Sequence, residues 1–492
     1  MADKAVVTQT TLDAIGQAII DKGGATEPMT PAQMPAAIQS IPSGGEPGLD
    51  PIAYDPVKGA LGTAWKVLIP YDNFEYKVKN LKLAYGISST TIDWGDGITE
   101  SIGNVIDKVH VYATQGEYTI TVPNELSKVC LTGYNGFVGN NVANCIREII
   151  SIGTRVSDVV ELANHCVNLE MSCGLPPACK TLYCTFYGCA SLKRFVEIPE
   201  SCVNASYTFY ECYSACGKLP ELPDGITNID FIFNKCKNAT GDVPIIPSSC
   251  NSAHDSFAEC SSLGGVIKGL FSTGNCSNMF DGCYSLRGTI PSLHDGIKSC
   301  NSMFKECRNL TGEIPAIPDG VTNMAKMFYN CSRLTGDIPT IPSSVTDLTY
   351  AFFGCSSIDG VAVSIPKKAI SYGGILSGCS NLKSIQDDID ITLGTNIIQF
   401  FNGCICLRRI PGQMQVDDSF GFSECTGITD KDSVAEFSGG LIIGGFAYNL
   451  NACTKTGKTI TFGTHIKSLF SADEWTAIKT SLTAKNWGCS PA

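Results

Sequence analysis

Apolar positions change period along this chain, and the longest stretch repeats in blocks rather than in turns or strands. Between Cys166 and Cys425 a cysteine returns every 21 to 25 residues: Cys166, Cys189, Cys212, Cys236, Cys260, Cys283, Cys307, Cys331, Cys355, Cys379, Cys404 and Cys425. Most are preceded, three places earlier, by an aromatic residue such as Phe186, Phe209, Phe233, Phe257, Phe280, Phe304, Phe328, Phe352, Phe401 or Phe422. Three places after the cysteine stands Leu, Ile or Ala, as at Leu192, Leu263, Leu286, Leu310 and Leu334. A period in the twenties predicts a stacked solenoid, each coil contacting only its neighbours. Val321, Met324, Phe328, Cys331 and Leu334, at separations of three and four, would fill the interior of one coil. Pro339/Pro342, matched by Pro244/Pro247 and Pro315/Pro318, set its corners, and Gly241, Gly312 and Gly336 its sharp turns. Coils paired as short parallel strands at about 4.8 Å would make a rod.

Elsewhere the period differs. Leu12, Ile15 and Ile19 form a helical stripe that ends at Lys22-Gly23-Gly24. A second helix opens at Thr30-Pro31-Ala32-Gln33, with a capping threonine and a proline at its first position, and presents Met34, Ile38 and Ile41. Helices this short do not stand alone. Their stripes need a second copy of the chain (a homo-oligomer such as a trimer), a docking protein, or the next domain. From about 55 to 125 the period is two: Trp65-Lys-Val-Leu-Ile69, Phe74-Glu-Tyr-Lys-Val78 and Tyr118-Thr-Ile-Thr-Val122 read as half-buried strands. After 430 the blocks decay, Lys458–Phe462 reads as a last strand, and Ser471-Ala-Asp-Glu474 is a capping box opening a helix through Ile478 and Leu482. Trp475, Trp487 and Phe470 are suited to close the final coil.

Composition narrows the function. A net charge of -12 with only 17% charged residues leaves no basic patch for nucleic acid. No apolar run is long enough to cross a bilayer, and the start has no basic-then-apolar signal, so Sec secretion is not expected. Of the 25 cysteines, those of the ladder follow the repeat and read as small buried hydrophobes in a reduced chain, and the off-register ones lack zinc spacing. Asn168, Asn238, Asn309 and Asn381, two places after ladder cysteines, are expected to bond neighbouring backbone. There is no Ser/His/Asp order, phosphate-cradling loop or paired-histidine motif, so neither an enzyme, a cofactor nor a metal is expected. Asp93 and Asp96 in Ile92-Asp-Trp-Gly-Asp-Gly97 read as turn structure. One surface feature stands out: Tyr183, Tyr187, Tyr207, Tyr210 and Tyr213 crowd into the first two or three coils, with Tyr187 and Tyr210 at one place of the repeat. Facing outward, they would form a rigid amphipathic patch for a protein or a sugar; the plain alternative is packing against the preceding domain.

Three resemblances follow from these motifs. The unit Val321–Ser344, with Met-Phe-x-x-Cys-x-x-Leu at its centre, resembles the BspA-like branch of leucine-rich repeats over some 300 residues. It implies a solenoid serving as a binding surface. The acidic turn at 92–97, His110-Val-Tyr112 and Gly116-Glu-Tyr118 resemble, in order, the polycystic-kidney-disease-type (PKD) domain, which implies a small immunoglobulin-like β-sandwich acting as spacer or adhesion module. Residues 12–38 resemble the helical start of many phage tail and fibre proteins. The expected fold is therefore mainly β and repetitive: an N-terminal helical docking or oligomerisation segment (1–45), a PKD-like sandwich (46–125), a BspA-like solenoid (126–455) and a C-terminal cap (456–492). The expected function is that of a phage virion protein, a tail-fibre or receptor-binding component. It would be assembled in the host cytoplasm, held by other virion proteins at its start, and would present its solenoid to a host surface protein or glycan. The alternative is a BspA-like bacterial surface adhesin for host or matrix proteins. A virion depolymerase, which would call for an acidic cleft, comes third.

Overall fold

The fold was obtained as a computed structural model. It describes residues 49–103, 106–131, 143–270, 274–362, 369, 371–385, 389–391, 400–407, 413–416, 420–421, 447–448, 459–461, 467–468, 470–484 and 488–490. The docking helices expected around Leu12, Ile15, Ile19, Met34, Ile38 and Ile41 lie outside the described residues, as do Phe422, Cys425 and Trp487.

Alternating apolar residues build the first region as strands. After a short helix, α1 (Pro56–Ala60), come β1 (Thr63–Ile69), β2 (Phe74–Leu83), β3 (Thr90–Asp93), β4 (Thr99–Ile102), β5 (Ile106–Tyr112), β6 (Gly116–Val122) and β7 (Leu126–Lys128). β5, β2 and β7 form one sheet; β4, β3, β6 and β1 belong to another. The sheets meet through fully buried aromatics, and Trp65 of β1 donates its indole N–H to the Tyr76 hydroxyl of β2, 3.1 Å away. The motif residues of the acidic turn converge here. Asp93 and Asp96 accept from the amides of Gly95 (2.9 Å) and Ile98 (3.1 Å), which is the turn role their sequence suggested. His110 contacts the Asp96 carboxylate at 2.7 Å and stacks on Trp94 at 4.7 Å, while the Tyr112 hydroxyl donates to the Trp94 carbonyl.

The sheet containing β1 runs directly into the repeats. β8 (Ile146–Ser151) pairs antiparallel with β1 and parallel with β9 (Met171–Ser172), the first coil-to-coil strand pair. Beyond it, paired strands shrink to two-residue pieces, as at Gly217–Lys218 with Ala239–Thr240 and Gly312–Glu313 with Leu334–Thr335. Most bonding between coils instead comes from a ladder of turns. The amides of Ala205, Tyr207, Phe209 and Glu211 donate to Asn228, Asp230, Ile232 and Asn234 of the next coil. The amides between them, Thr208, Tyr210 and Cys212, donate three residues back within their own coil. This alternation needs left-handed backbone one and five places before the cysteine. Examples are Glu211 (φ +59°) and Tyr207 (φ +58°) in one coil, and Asn330 (φ +57°) and Lys326 (φ +56°) in another.

The interior matches the repeat. Val321, Met324, Phe328, Cys331 and Leu334 are wholly buried. Phenylalanines from Phe186 to Phe352 stack ring on ring, coil after coil, with centroids 5.4–5.8 Å apart. Such pairs contribute roughly 0.5–1.5 kcal/mol each beyond burial. Asn168, Asn238 and Asn309 donate their side-chain amides to carbonyls of the preceding coil at 2.9–3.0 Å. A second polar ladder, eight places before the cysteine, joins Asn204, Asn228, Ser252 and Asn275, then Ser299, Asn323, Asp347 and Ser371. Its Asn and Asp members accept from the amide two residues on, as Asn323 does from Ala325 at 2.9 Å.

Near the end, Thr459–Thr461 pairs in parallel with Phe420–Gly421 and Gly488–Ser490. Helix α2 (Ala472–Ala484) opens on the expected capping box: Ser471 N–H donates to the Glu474 carboxylate (2.8 Å) and Glu474 N–H to the Ser471 hydroxyl (3.3 Å). Its buried face is Trp475, Ile478 and Leu482. No helix among the described residues is long and apolar enough to cross a membrane.

Candidate ligand-binding surface

The turn ladder sorts side chains by place. Those at the cysteine and three, four and seven places before it are buried; the accessible side chains of the ladder stand one, two and five places before it, except where the residue there is itself buried, as Asn234, Ala258 and Ser302 are. Tyr187 and Tyr210 stand two before their cysteines and Tyr207 five before, and all three are among the accessible side chains. Tyr187 and Tyr210 stack at 4.7 Å with planes 13° apart. Tyr207 lies 5.8 Å from Tyr210 and 6.2 Å from Tyr187, and Tyr183 meets it edge-on at 6.0 Å. Tyr213, one place after its cysteine, turns to a neighbouring row, where Lys237 sits over its ring at 5.8 Å. Four of the five tyrosines singled out in the sequence are thus in one continuous cluster, and the fifth borders it.

The cluster is larger than its tyrosines. Phe231 stacks on Tyr207 at 4.7 Å, His254 meets Phe231 at 5.1 Å, and His165 leans on Tyr187 at 4.8 Å. These residues differ in type but keep the places of the repeat: Phe231 is five before Cys236, as Tyr207 is five before Cys212. That shared place was the signal available in the sequence.

Charge around the cluster is mostly negative and mostly ordered. Lys235 bridges the Glu211 carboxylate (2.8 Å) and the Tyr210 hydroxyl (3.4 Å), and this pairing holds its ammonium charged above the usual lysine range. Asp230 accepts from the Ser252 hydroxyl and the His254 amide, each at 2.8 Å. Asp255 lies 2.8 Å from His254 Nδ1 and accepts from Asn278 at 3.2 Å, yet burial pushes its carboxyl up. Burial likewise pushes the phenols of Tyr187 and Tyr207 up and the His165 imidazole down. At neutral pH the tyrosine hydroxyls therefore remain donors and His165 is neutral. The arrangement can offer ring edges, hydroxyls and carboxylates to a ligand.

A separate cleft of about 750 Å³ opens where residues 50–51 cross the coils, against Glu197, Glu200, Lys218, Glu221, Asp242 and Lys268. Its charges are largely matched within it: Asp50 to Lys218 at 2.9 Å, and Glu221 and Asp242 to Lys268 at 3.5 and 3.9 Å. Among the described residues no group of three or more His, Cys, Asp or Glu side chains is placed to share a metal ion.

Comparison with known proteins supports the repeat reading. The family profile described as "BspA type Leucine rich repeat region" matches residues 180–311 and 297–429. A leucine-rich repeat protein from Bacteroides ovatus, known from its crystal structure, is 18% identical, with a TM-score of 0.45 over 78% of this chain and 96% of that one. No curated protein matches the chain.

Proposed function

The chain belongs to the BspA-type leucine-rich repeat family, and from that premise we propose that it is a non-enzymatic binding scaffold whose aromatic face, around Tyr187, Tyr207 and Tyr210, contacts a partner. The carrying observation is the stacked, half-exposed cluster itself, since rigid tyrosine surfaces concentrate binding energy. In this reading the scaffold is a phage tail-fibre or receptor-binding component with a PKD-like spacer after its helical start and a helix, α2, that caps its last coils. Support comes from the resemblance of residues 12–38 to fibre proteins, and from the order of the acidic turn, His110-x-Tyr112 and Gly116-x-Tyr118. Family membership favours a second reading, a bacterial surface adhesin for host or matrix proteins.

Binding of the labelled full chain to bacterial cells, with and without Tyr207→Ser/Tyr210→Ser, tests the scaffold. Loss of binding in the variant is expected, and equal binding by both proteins would sink it. Native mass spectrometry with thiol counting, on the chain with and without residues 1–45, separates the two settings. A multimer that becomes a monomer on truncation, its thiols reduced, fits a virion fibre. A monomer in both forms with many disulfides fits an exported adhesin.

A further inference from the structure

Residues 49–54 leave the first region and lie across the flank of the coils as a strap. The amide of Ile52 donates to the Phe195 carbonyl (2.9 Å), that of Glu197 to the Ile52 carbonyl (3.0 Å) and that of Lys218 to the Leu49 carbonyl (3.1 Å). Ile52 and Val196 run parallel. Side chains add to the contact. Arg194 donates to the Asp50 carbonyl, Lys218 pairs with the Asp50 carboxylate at 2.9 Å, and Ile52 packs on the core. The Tyr54 hydroxyl donates to the Ile152 carbonyl at 3.1 Å, just past β8. Two glycines make room for the strap. A Cβ at Gly174 would lie 2.2 Å from the Tyr54 nitrogen and 2.3 Å from the Ala53 carbonyl carbon, and one at Gly217 would lie 2.5 Å from the Leu49 oxygen. Gly174 does not have left-handed backbone, so glycine is needed there for space alone.

These bonds close a loop in the chain. Between the strap and its partners at 195–218 lie α1, β1 to β9 and the first coil. Tension between the chain before Leu49 and the chain after Lys218 therefore passes through the strap, and the strands in between carry none of it while the strap holds. Direction matters as well. The strap is pulled at its Leu49 end and the segment beside it at its Glu197 end. For parallel segments these are opposite ends, so the bonds are sheared and must yield together. Without the strap, tension would enter β1 at Thr63 and leave β8 at Ser151. Those strands are antiparallel, with Ala64 opposite Ser151, so both would be pulled at one end and their bonds would open one after another. Forced opening follows the barrier to unfolding, and shear presents the higher one.

We propose that residues 49–54 are a mechanical latch, which passes tension from the start of the chain to the coils in shear and keeps the two sheets of the first region out of the line of force. This role rests on the reading of the chain as an anchored scaffold holding a partner on its coils, which the fibre and adhesin settings share. Such a scaffold is under tension whenever its partner is dragged away.

Pulling the full chain in an optical trap, with one handle at the N-terminus and one on an unnatural side chain in place of exposed Lys237, tests the latch. Gly174→Ala drives a methyl group into the strap backbone, and Ile52→Pro removes the donor to Phe195. Each should lower the first rupture force at least twofold. Trp65→Phe weakens the joint between the two sheets by removing the indole donor to Tyr76. It should leave the rupture force of the parent unchanged and lower that of Gly174→Ala, in which tension reaches the sheets. Equal forces for the parent and both strap variants would overturn the latch, and so would a parent weakened by Trp65→Phe alone. If circular dichroism shows Gly174→Ala to be unfolded, Ile52→Pro, alone and with Trp65→Phe, decides by the same two criteria. No partner takes part in the force measurement, so failure of the latch leaves the scaffold reading standing. Failure of that reading shows instead as unchanged cell binding by Tyr207→Ser/Tyr210→Ser.

Discussion

The Cys331 thiol and the Phe304 carbonyl, one coil apart, are 3.0 Å from each other, and that carbonyl also accepts the amide of Cys307 in its own coil. The pattern repeats along the rod: Cys236 to Phe209, Cys260 to Phe233, Cys283 to Phe257, Cys355 to Phe328, all at 3.0 Å. Each phenylalanine carbonyl thus uses both lone pairs, one within the coil and one between coils. This explains why the place holds cysteine: the interior requires a small apolar side chain, and the second lone pair favours one that can donate. Cys331→Ala removes the donor and leaves a void, and should destabilise by about 1–3 kcal/mol. Urea denaturation measures it; a loss below about 0.5 kcal/mol would show that the thiol is only filler.

The same burial sets thiol chemistry. Loss of solvation pushes the ladder thiols from Cys166 to Cys379 well above their ordinary pKa, and Cys179 and Cys202 in the adjoining row up to about 12. Since the thiolate is the reactive form, native protein at pH 8 should be alkylated first at exposed Cys406 and hardly at all along the ladder. Peptide mapping after brief iodoacetamide treatment reads this directly. Early modification of Cys307 or Cys331 would contradict it.

How much of this could be read beforehand depends on how many residue types share a role. Phe and Cys fill their two places almost without substitution, so the coil interior was legible from Val321 to Leu334. The capping box at Ser471 and Glu474 is local in sequence and was legible for that reason. The polar ladder through Asn204, Ser252 and Asp347 was missed because three residue types do one job there. The left-handed places were missed too, since Glu, Lys, Asn, Tyr and Phe occupy them and only the ladder of amides forces the backbone. The tyrosines drew notice by identity, whereas Phe231 and His254 join the surface only through the repeat. The cleft beside Asp50 unites residues more than a hundred places apart, which no spacing reveals.

The left-handed places predict opposite results for one kind of substitution. Lys326 is exposed, has φ +56°, and carries a strain of about 1–2 kcal/mol that glycine would relieve. After the greater chain entropy of glycine is subtracted, Lys326→Gly should stabilise by about 0.5–1 kcal/mol. Tyr350→Gly relieves the same strain at the same place but removes ring contacts with Phe353 and Tyr329, and should destabilise by about 1–2 kcal/mol. Thermal melts of the two variants should shift in opposite directions. Shifts of the same sign would mean that the backbone strain or the ring contacts have been misjudged.

Glu161 gives a pH signature. Its backbone is left-handed (φ +57°), its side chain is buried, and Oε2 has no hydrogen-bond partner. Burial pushes its carboxyl above the ordinary range, with Lys128 opposing weakly. A raised pKa means that the folded state holds this proton more tightly than the unfolded chain does. The group's contribution to stability is therefore fully present below the unfolded value, about 4.3, and is lost as pH rises through the higher folded value. Glu161→Gln cannot ionise and avoids that loss, so it should be more stable than the parent at pH 7.5 by about 1 kcal/mol. Near pH 3.5 the parent is itself protonated and the advantage should vanish. Melting both proteins at the two pH values decides it: an advantage of equal size at both would assign the effect to packing, and the ionisation of Glu161 would then have no part in the stability of the first coil.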